Sequence, residues 1–303
     1  MTLLKQIDKY FSLLLLSSIL LGFTFPNLFL TYEGYVIYII MAILGFLYLK
    51  VDIIDVVTHI KKPKLMLYIL FINLLFSPLL IFFLFKSLDT NFLVAITLLA
   101  ALPAGVTSAA FTDIMKGKTS LTLSVIILSN LLSIVTIPFL FWVLFNQDIQ
   151  MDYVNFGFNL LKVFLIPFLI AKLCKRVFIP NLTKKLTDYY NLIIVLLLCG
   201  MVTISISFQA EFIIENIHSL LPKLGIIFII FFLLQLVAYF SIYWLKKGEK
   251  IAISNANMIM NNVLGIVLSI AFFNETVVTY IILSLVPWNT MIILKHWYKR
   301  YFP

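Results

Sequence analysis

Apolar residues in this chain come in long blocks, and the length of those blocks restricts what it can fold into. Stretches at about 11–29, 34–51, 65–86, 91–115, 119–145, 154–174, 190–210, 222–245, 251–273 and 276–297 approach the ~20 apolar residues a helix needs to cross a bilayer. Only Lys116-Gly117-Lys118 separates the fourth from the fifth, and only Asn274-Glu275 the ninth from the tenth. Hydrophobic residues make up 63% of the 303 and charged residues 12%, whereas soluble chains are about a quarter charged. The sequence therefore predicts an all-α polytopic membrane protein of ten transmembrane helices, with membrane lipid around it.

The formal charge of +9 does not point to nucleic acid, because the bases fall in short clusters between apolar runs. Lys5 and Lys9, then Lys50, Lys61, Lys62 and Lys64, then Lys116 and Lys118 lie on alternate loops. So do Lys172, Lys175, Arg176, Lys184 and Lys185, then Lys246, Lys247 and Lys250, then Lys295, Lys299 and Arg300. These are 19 of the 22 Lys and Arg residues; Lys86 and Lys223 lie on the other side and Lys162 within a span. The positive-inside rule places the basic side and both termini in the cytoplasm of a multi-pass cell-membrane protein. No small-residue cleavage site follows Leu13–Phe25, so a cleaved secretory signal is not expected. Cys174 and Cys199 are too few for a disulfide framework or a metal motif.

Ten spans divide into five and five, at about 1–148 and 149–303, and an odd number means the second repeat enters the membrane inverted. The pattern Lys62-Pro63-Lys64-Leu65 before the third span is echoed by Leu221-Pro222-Lys223-Leu224 before the eighth. The fourth span is interrupted at Pro103 and Gly105, and the ninth carries four asparagines in Ile253-Ser-Asn-Ala-Asn-Met-Ile-Met-Asn-Asn-Val-Leu-Gly265. A helix broken at membrane depth is tolerated where protein or a water-filled cavity covers the freed backbone. Paired breaks at corresponding positions of two halves are a pointer to a transporter site. Here the second half-helices are expected to start near Thr107 and near Asn261. Their free N–H groups and positive dipole ends favour an anion, which makes Thr107, Ser108, Thr112, Asn257, Asn261 and Asn262 the candidate substrate-binding residues. The carbonyls that end the first halves, with nearby hydroxyls and amides, suit a cation.

Other polar groups sit in the apolar runs. Thr122, Ser129, Ser133 and Thr136 share one face of the fifth span, and Asn73 and Ser77 share one of the third. Such hydroxyls usually bond to their own backbone or to a neighbouring helix. Lys162 is expected to face inward in a structural role, and Asp113 to mark a boundary near Lys116. His59, His218 and His296 fall at loops or helix ends, with no HExxH, no intramembrane Asp pair and no phosphate loop. No catalytic residues are assigned, and an intramembrane enzyme has nothing to work with.

At the first broken span, Pro103-Ala-Gly-Val-Thr-Ser108, Lys116-Gly117 and Leu121 with Ser129, Ser133 and Pro138 resemble the bile acid:sodium symporter family. The likeness continues upstream in Phe46–Lys50, Lys62-Pro63-Lys64 and Asn73 before Pro78. Downstream it includes Lys162 before Pro167, and Lys250 before the asparagine-rich span. The resemblance implies a core domain of spans three to five and eight to ten, and a panel domain of spans one, two, six and seven, with substrate between them. It also implies sodium as a coupling ion, at remnant sites drawn from Ser108, Thr122, Asn73, Asn255 and Ser129. The pattern departs where Ala109 replaces an Asn, Ile126 a Thr, Asn73 a Gln, Asn255 an acidic ligand and Ile259 a Gln. A carboxylate brings charge as well as oxygen to a hard cation, so these changes weaken sodium coupling.

The reading is a secondary active transporter of a small organic anion, working by alternating access around a midplane site where the two broken helices cross. A proton-coupled, exchange or uniport permease of auxin-efflux type is the alternative, and a non-transporting sensor on a degenerate carrier fold the third. No cofactor is expected beyond sodium as a coupling ion. Import and export both fit these residues, as does any oligomeric state.

Overall fold

The computed structural model describes residues 3–50, 63–105, 107–145, 152–177, 180–288 and 290–291. Among them every regular element is helical. We number these α1 (Leu3–Thr24), α2 (Val36–Lys50), α3 (Pro63–Phe85), α4 (Thr90–Ala101), α5 (Thr107–Ile114), α6 (Thr119–Phe145), α7 (Tyr153–Val177), α8 (Pro180–Glu215), α9 (Ile217–Phe240), α10 (Lys247–Met258), α11 (Asn262–Phe272) and α12 (Glu275–Leu283). Among the described residues, five helices are long and apolar enough to cross a membrane: Pro63–Phe85, Thr119–Phe145, Val154–Lys175, Leu192–Glu215 and Ile217–Phe240. The count rises to six if the bent pair Pro26–Tyr32 and Val36–Phe46 is one span. This is a membrane protein with several apolar helices. The fourth and ninth predicted segments fall below span length because each is two half-helices, α4 with α5 and α10 with α11. The last predicted span lies partly outside the described residues.

Several boundaries differ from the sequence reading for local reasons. Pro180 stands at the first position of α8, where a missing N–H costs nothing, and the helix runs 36 residues without a break into its apolar part. Pro222 sits inside α9, which starts earlier than expected, at Ile217. α3 is not uniformly α-helical: Ile72–Phe76 is a π turn just ahead of Pro78. Proline lacks the N–H for a bond to the carbonyl four residues back and its ring crowds that carbonyl. A π turn is a common way to absorb such a defect, and Asn73 lies within it, 3% exposed.

The chain separates into two compact units, Met1–Asp52 with Asn159–Ile217, and Ile53–Phe158 with His218–Pro303. In the first, α1 packs along α8. The Thr203 hydroxyl donates to the Ser18 carbonyl at 3.1 Å and the Ser207 hydroxyl to the Gly22 carbonyl at 3.2 Å. A Cβ on Gly22 would lie 2.7 Å from the Thr203 carbonyl oxygen, so the backbones approach as small residues allow in membrane helix pairs. In the second unit, an apolar cluster runs through α3, α5, α6, α9 and α10, including Ile69, Leu74, Ala109, Val125, Ile126, Ala238, Ala252 and Ala256. At one end of that unit Phe82, Phe141, Phe145, Phe156 and Phe272 meet ring to ring, with centroids 4.4 Å apart for Phe156 and Phe272.

Candidate functional site

Both broken helices belong to the second unit, and their breaks touch. Pro103 ends α4: it forces Leu102 out of helical geometry, to φ −62 and ψ 141. The chain then runs extended through Ala104, which pairs with Met260 in an isolated antiparallel bridge. The Gly105 N–H donates to the Ile259 carbonyl and the Asn261 N–H to the Pro103 carbonyl, both at 2.8 Å. In this bridge type the paired residues come closest and turn their own backbone groups outward. A Cβ on Gly105 would lie 2.6 Å from the Met260 carbonyl oxygen, so no larger residue fits there without moving backbone.

The outward groups of Ala104 are both caught by α6. Its N–H donates to the Ser129 hydroxyl and its carbonyl accepts from the Asn130 amide, each at 3.1 Å. Asn130 also accepts from the Asn261 amide at 3.3 Å, so one buried side chain ties the first break to the second. Every backbone group freed at Ala104 is thus satisfied, as hydrocarbon demands. Sequence reasoning missed Asn130; the available signal was an amide beside Ser129 in an otherwise apolar span.

Two helices start beside the crossing. α5 begins at Thr107, which is half-buried, and the Ser108 hydroxyl donates back to the Gly105 carbonyl at 2.6 Å. α11 begins at Asn262, and its N-cap Asn261 accepts from the Leu264 N–H at 3.2 Å. Asn262 is 4% exposed, and among the described residues neither its amide nitrogen nor its amide oxygen has a partner. A buried amide with both ends free is unusual, and this one stands at a helix N-terminus.

A second polar knot joins α5, α6 and α10 around Thr112. Its hydroxyl donates to the Ser108 carbonyl at 2.7 Å and accepts from Thr122 and from the Asn255 amide nitrogen, both at 3.1 Å. A third joins α3, α9 and α10: Asn73 donates to the Asn257 amide oxygen at 2.8 Å, and the Asn257 nitrogen donates to the Leu234 carbonyl at 2.7 Å and to Ser77 at 3.2 Å. All ten predicted site residues therefore lie in one unit, gathered into these contacts or, for Thr107 and Asn262, at the helix starts beside the crossing. Ser129 serves the backbone: it accepts from Ala104 and donates to the Ile126 carbonyl at 3.2 Å.

The positions of departure have a structural outcome as well. Ala109 and Ile126 are buried in the same apolar cluster. Ile259 lies in the second break, 1% exposed, with its carbonyl engaged by Gly105. Asp113 is exposed near the end of α5, beside the positive-φ Lys116. Lys162, expected to face inward, is exposed, because four-residue spacing puts it on the exposed stripe of Phe158 and Ile166. On that stripe its long stem can carry the ammonium toward the membrane surface.

At its cytoplasm-predicted end the same unit is closed by Lys118 and Glu249, 3.1 Å apart, and by the Lys118 N–H donating to the Gly248 carbonyl at 2.8 Å. At the other end Lys223 pairs with Asp89 at 3.1 Å and hydrogen-bonds Tyr280, while Asn274 donates to Asn91 at 2.8 Å. The starts or ends of α4, α9 and α12 are tied together there.

No curated protein matches the chain. The model of the sodium bile acid symporter family matches residues 36–216, which include the first crossing segment and α6 but stop short of the second. With more than half of the sequence inside that match, the chain belongs to the sodium bile acid symporter family.

Proposed function

We propose that this protein is a secondary active transporter of a small organic anion, built of ten spans in two inverted five-helix repeats with both termini in the cytoplasm. The observation that carries the reading is the antiparallel crossing of two broken helices, with half-helices starting at Thr107 and Asn262 beside it. Helix starts present free N–H groups and a positive dipole end, which favour an anionic group. Asn262, buried with both polar atoms unpartnered, supports a ligand there. Thr107, Ser108, Thr112, Asn257 and Asn261 complete the proposed substrate surroundings. Alternating access moves a core of spans three to five and eight to ten against a panel of spans one, two, six and seven. Its support is the chain's division into two compact units with closely similar ranges.

Sodium is the ion in the family's name, and the residues here fit it poorly. Two of the five positions, Ala109 and Ile126, are packed in an apolar cluster. The Thr112 hydroxyl beside the site already has three partners, and Asn255 contributes no charge. This favours a second reading of coupling, in which the anion moves by exchange, with a proton or by uniport. Uptake of a panel of organic acids into proteoliposomes, under sodium, proton or no gradient, separates these modes. Anion uptake above empty liposomes supports the carrier, and none under any gradient overturns it.

A further inference from the structure

The amide of Asn255 turns its nitrogen toward the Thr112 hydroxyl. A threonine hydroxyl has one proton to give and two lone pairs. The Thr112 hydroxyl spends its proton on the Ser108 carbonyl at 2.7 Å, so its other two neighbours must both be donors. One is the Thr122 hydroxyl, and the other is the Asn255 side chain, which must therefore present its NH2 group rather than its oxygen. The same nitrogen lies 3.7 Å from the Met115 sulfur, a weak acceptor. Asn255 is fully buried, so the orientation is not diluted by water.

An NH2 group pointing at oxygen atoms does chemically what a bound cation does: it offers positive hydrogen to several acceptors at once. The family's ligand positions Ser108, Thr122 and Asn255 all converge on that one hydroxyl, through donors and acceptors that already match. Of the other positions, Ala109 and Ile126 are apolar members of one buried cluster, Ser129 accepts from the Ala104 N–H and Asn73 donates to Asn257. What is left for an ion is the amide oxygens of Asn255 and Asn73, two neutral ligands in separate polar knots, each without a partner among the described residues. A hard monovalent cation brought into a buried site needs several oxygens to replace its water. Asn257, two residues on, makes the same kind of donation in the separate knot of α3, α9 and α10, to the Leu234 carbonyl and the Ser77 hydroxyl.

We propose that the side-chain amide of Asn255 replaces the coupling cation at the junction of α5, α6 and α10, so that this junction holds together without sodium. The inference rests on the carrier reading only for where a cation would be expected. Its consequence is a core whose stability is indifferent to sodium, whatever anion the protein carries.

The test is the melting temperature of the full-length purified protein in detergent, with sodium chloride and with choline chloride at matched ionic strength. The wild type is expected to melt at the same temperature in both. In choline, Asn255→Leu, which keeps the branched shape and donates nothing at any pH, is expected to melt about 2–4 °C or more below the wild type. A saturable, sodium-specific rise in the wild type overturns the proposal. So does an Asn255→Leu variant as stable as the wild type in choline. If that variant does not fold, the wild-type comparison still decides. Because the readout is melting and not uptake, failure of the anion-transport reading leaves this result standing, and sodium stabilisation would sink this proposal while leaving transport intact.

Discussion

At Gly105 a single hydrogen atom where other residues carry a side chain decides whether the two breaks can meet. The Met260 carbonyl oxygen lies 2.6 Å from where a Cβ would be, and backbone rather than a flexible side chain is what it would strike. Gly105→Ala should therefore cost about 1–3 kcal/mol, seen as a lower melting temperature in detergent, and abolish uptake. Asn130→Leu keeps the branched shape but strands the Ala104 carbonyl and the Asn261 amide, an expected loss of about 1–3 kcal/mol by the same assay. The two residues differ in how they could be read. Gly105 is conspicuous beside Pro103 in an apolar run, and the break it marks was legible. Asn130 is one amide in a span already marked by hydroxyls, and its role appears only when the extended segment at Ala104 presents a carbonyl to it and Asn261, from far along the chain, an amide.

Among the elements, the breaks arise by different chemistry. Proline ends α4 outright, whereas α10 ends without proline or glycine. There, Asn261 turns its side chain to cap α11 and its backbone N–H to the Pro103 carbonyl. Short polar side chains compete with the helix for backbone partners, which is why a run of asparagines foretold the second break. The π turn of α3 was not foretold, since Pro78 signals a defect in the helix but not the form it takes. The ends of these elements should respond unequally to substitution. Lys118 is 45% exposed and Glu249 18%, so Lys118→Met should cost about 1 kcal/mol or less and be masked by high salt. Phe141, fully buried against Phe145, Phe156 and Phe273, should cost about 3–5 kcal/mol when changed to Ala, read by the same melting assay.

Across the whole molecule, apolar block length made an all-helical membrane protein readable, and the charge alternation predicts an orientation that the helices alone do not test. The long-range pairing of residue 104 with residue 260 was readable only as an expectation that two breaks cross, because sequence spacing carries no register between distant segments. The account's central claim is that this crossing handles an organic anion. The direct measurement is uptake of labelled organic acids by proteoliposomes containing the wild type or Gly105→Ala, beside empty liposomes. The account predicts saturable uptake of at least one acid by the wild type, reduced to the empty-liposome level by Gly105→Ala. Uptake by the Gly105→Ala protein equal to the wild type's, or no uptake of any acid by the wild type under sodium, proton or no gradient, would contradict it.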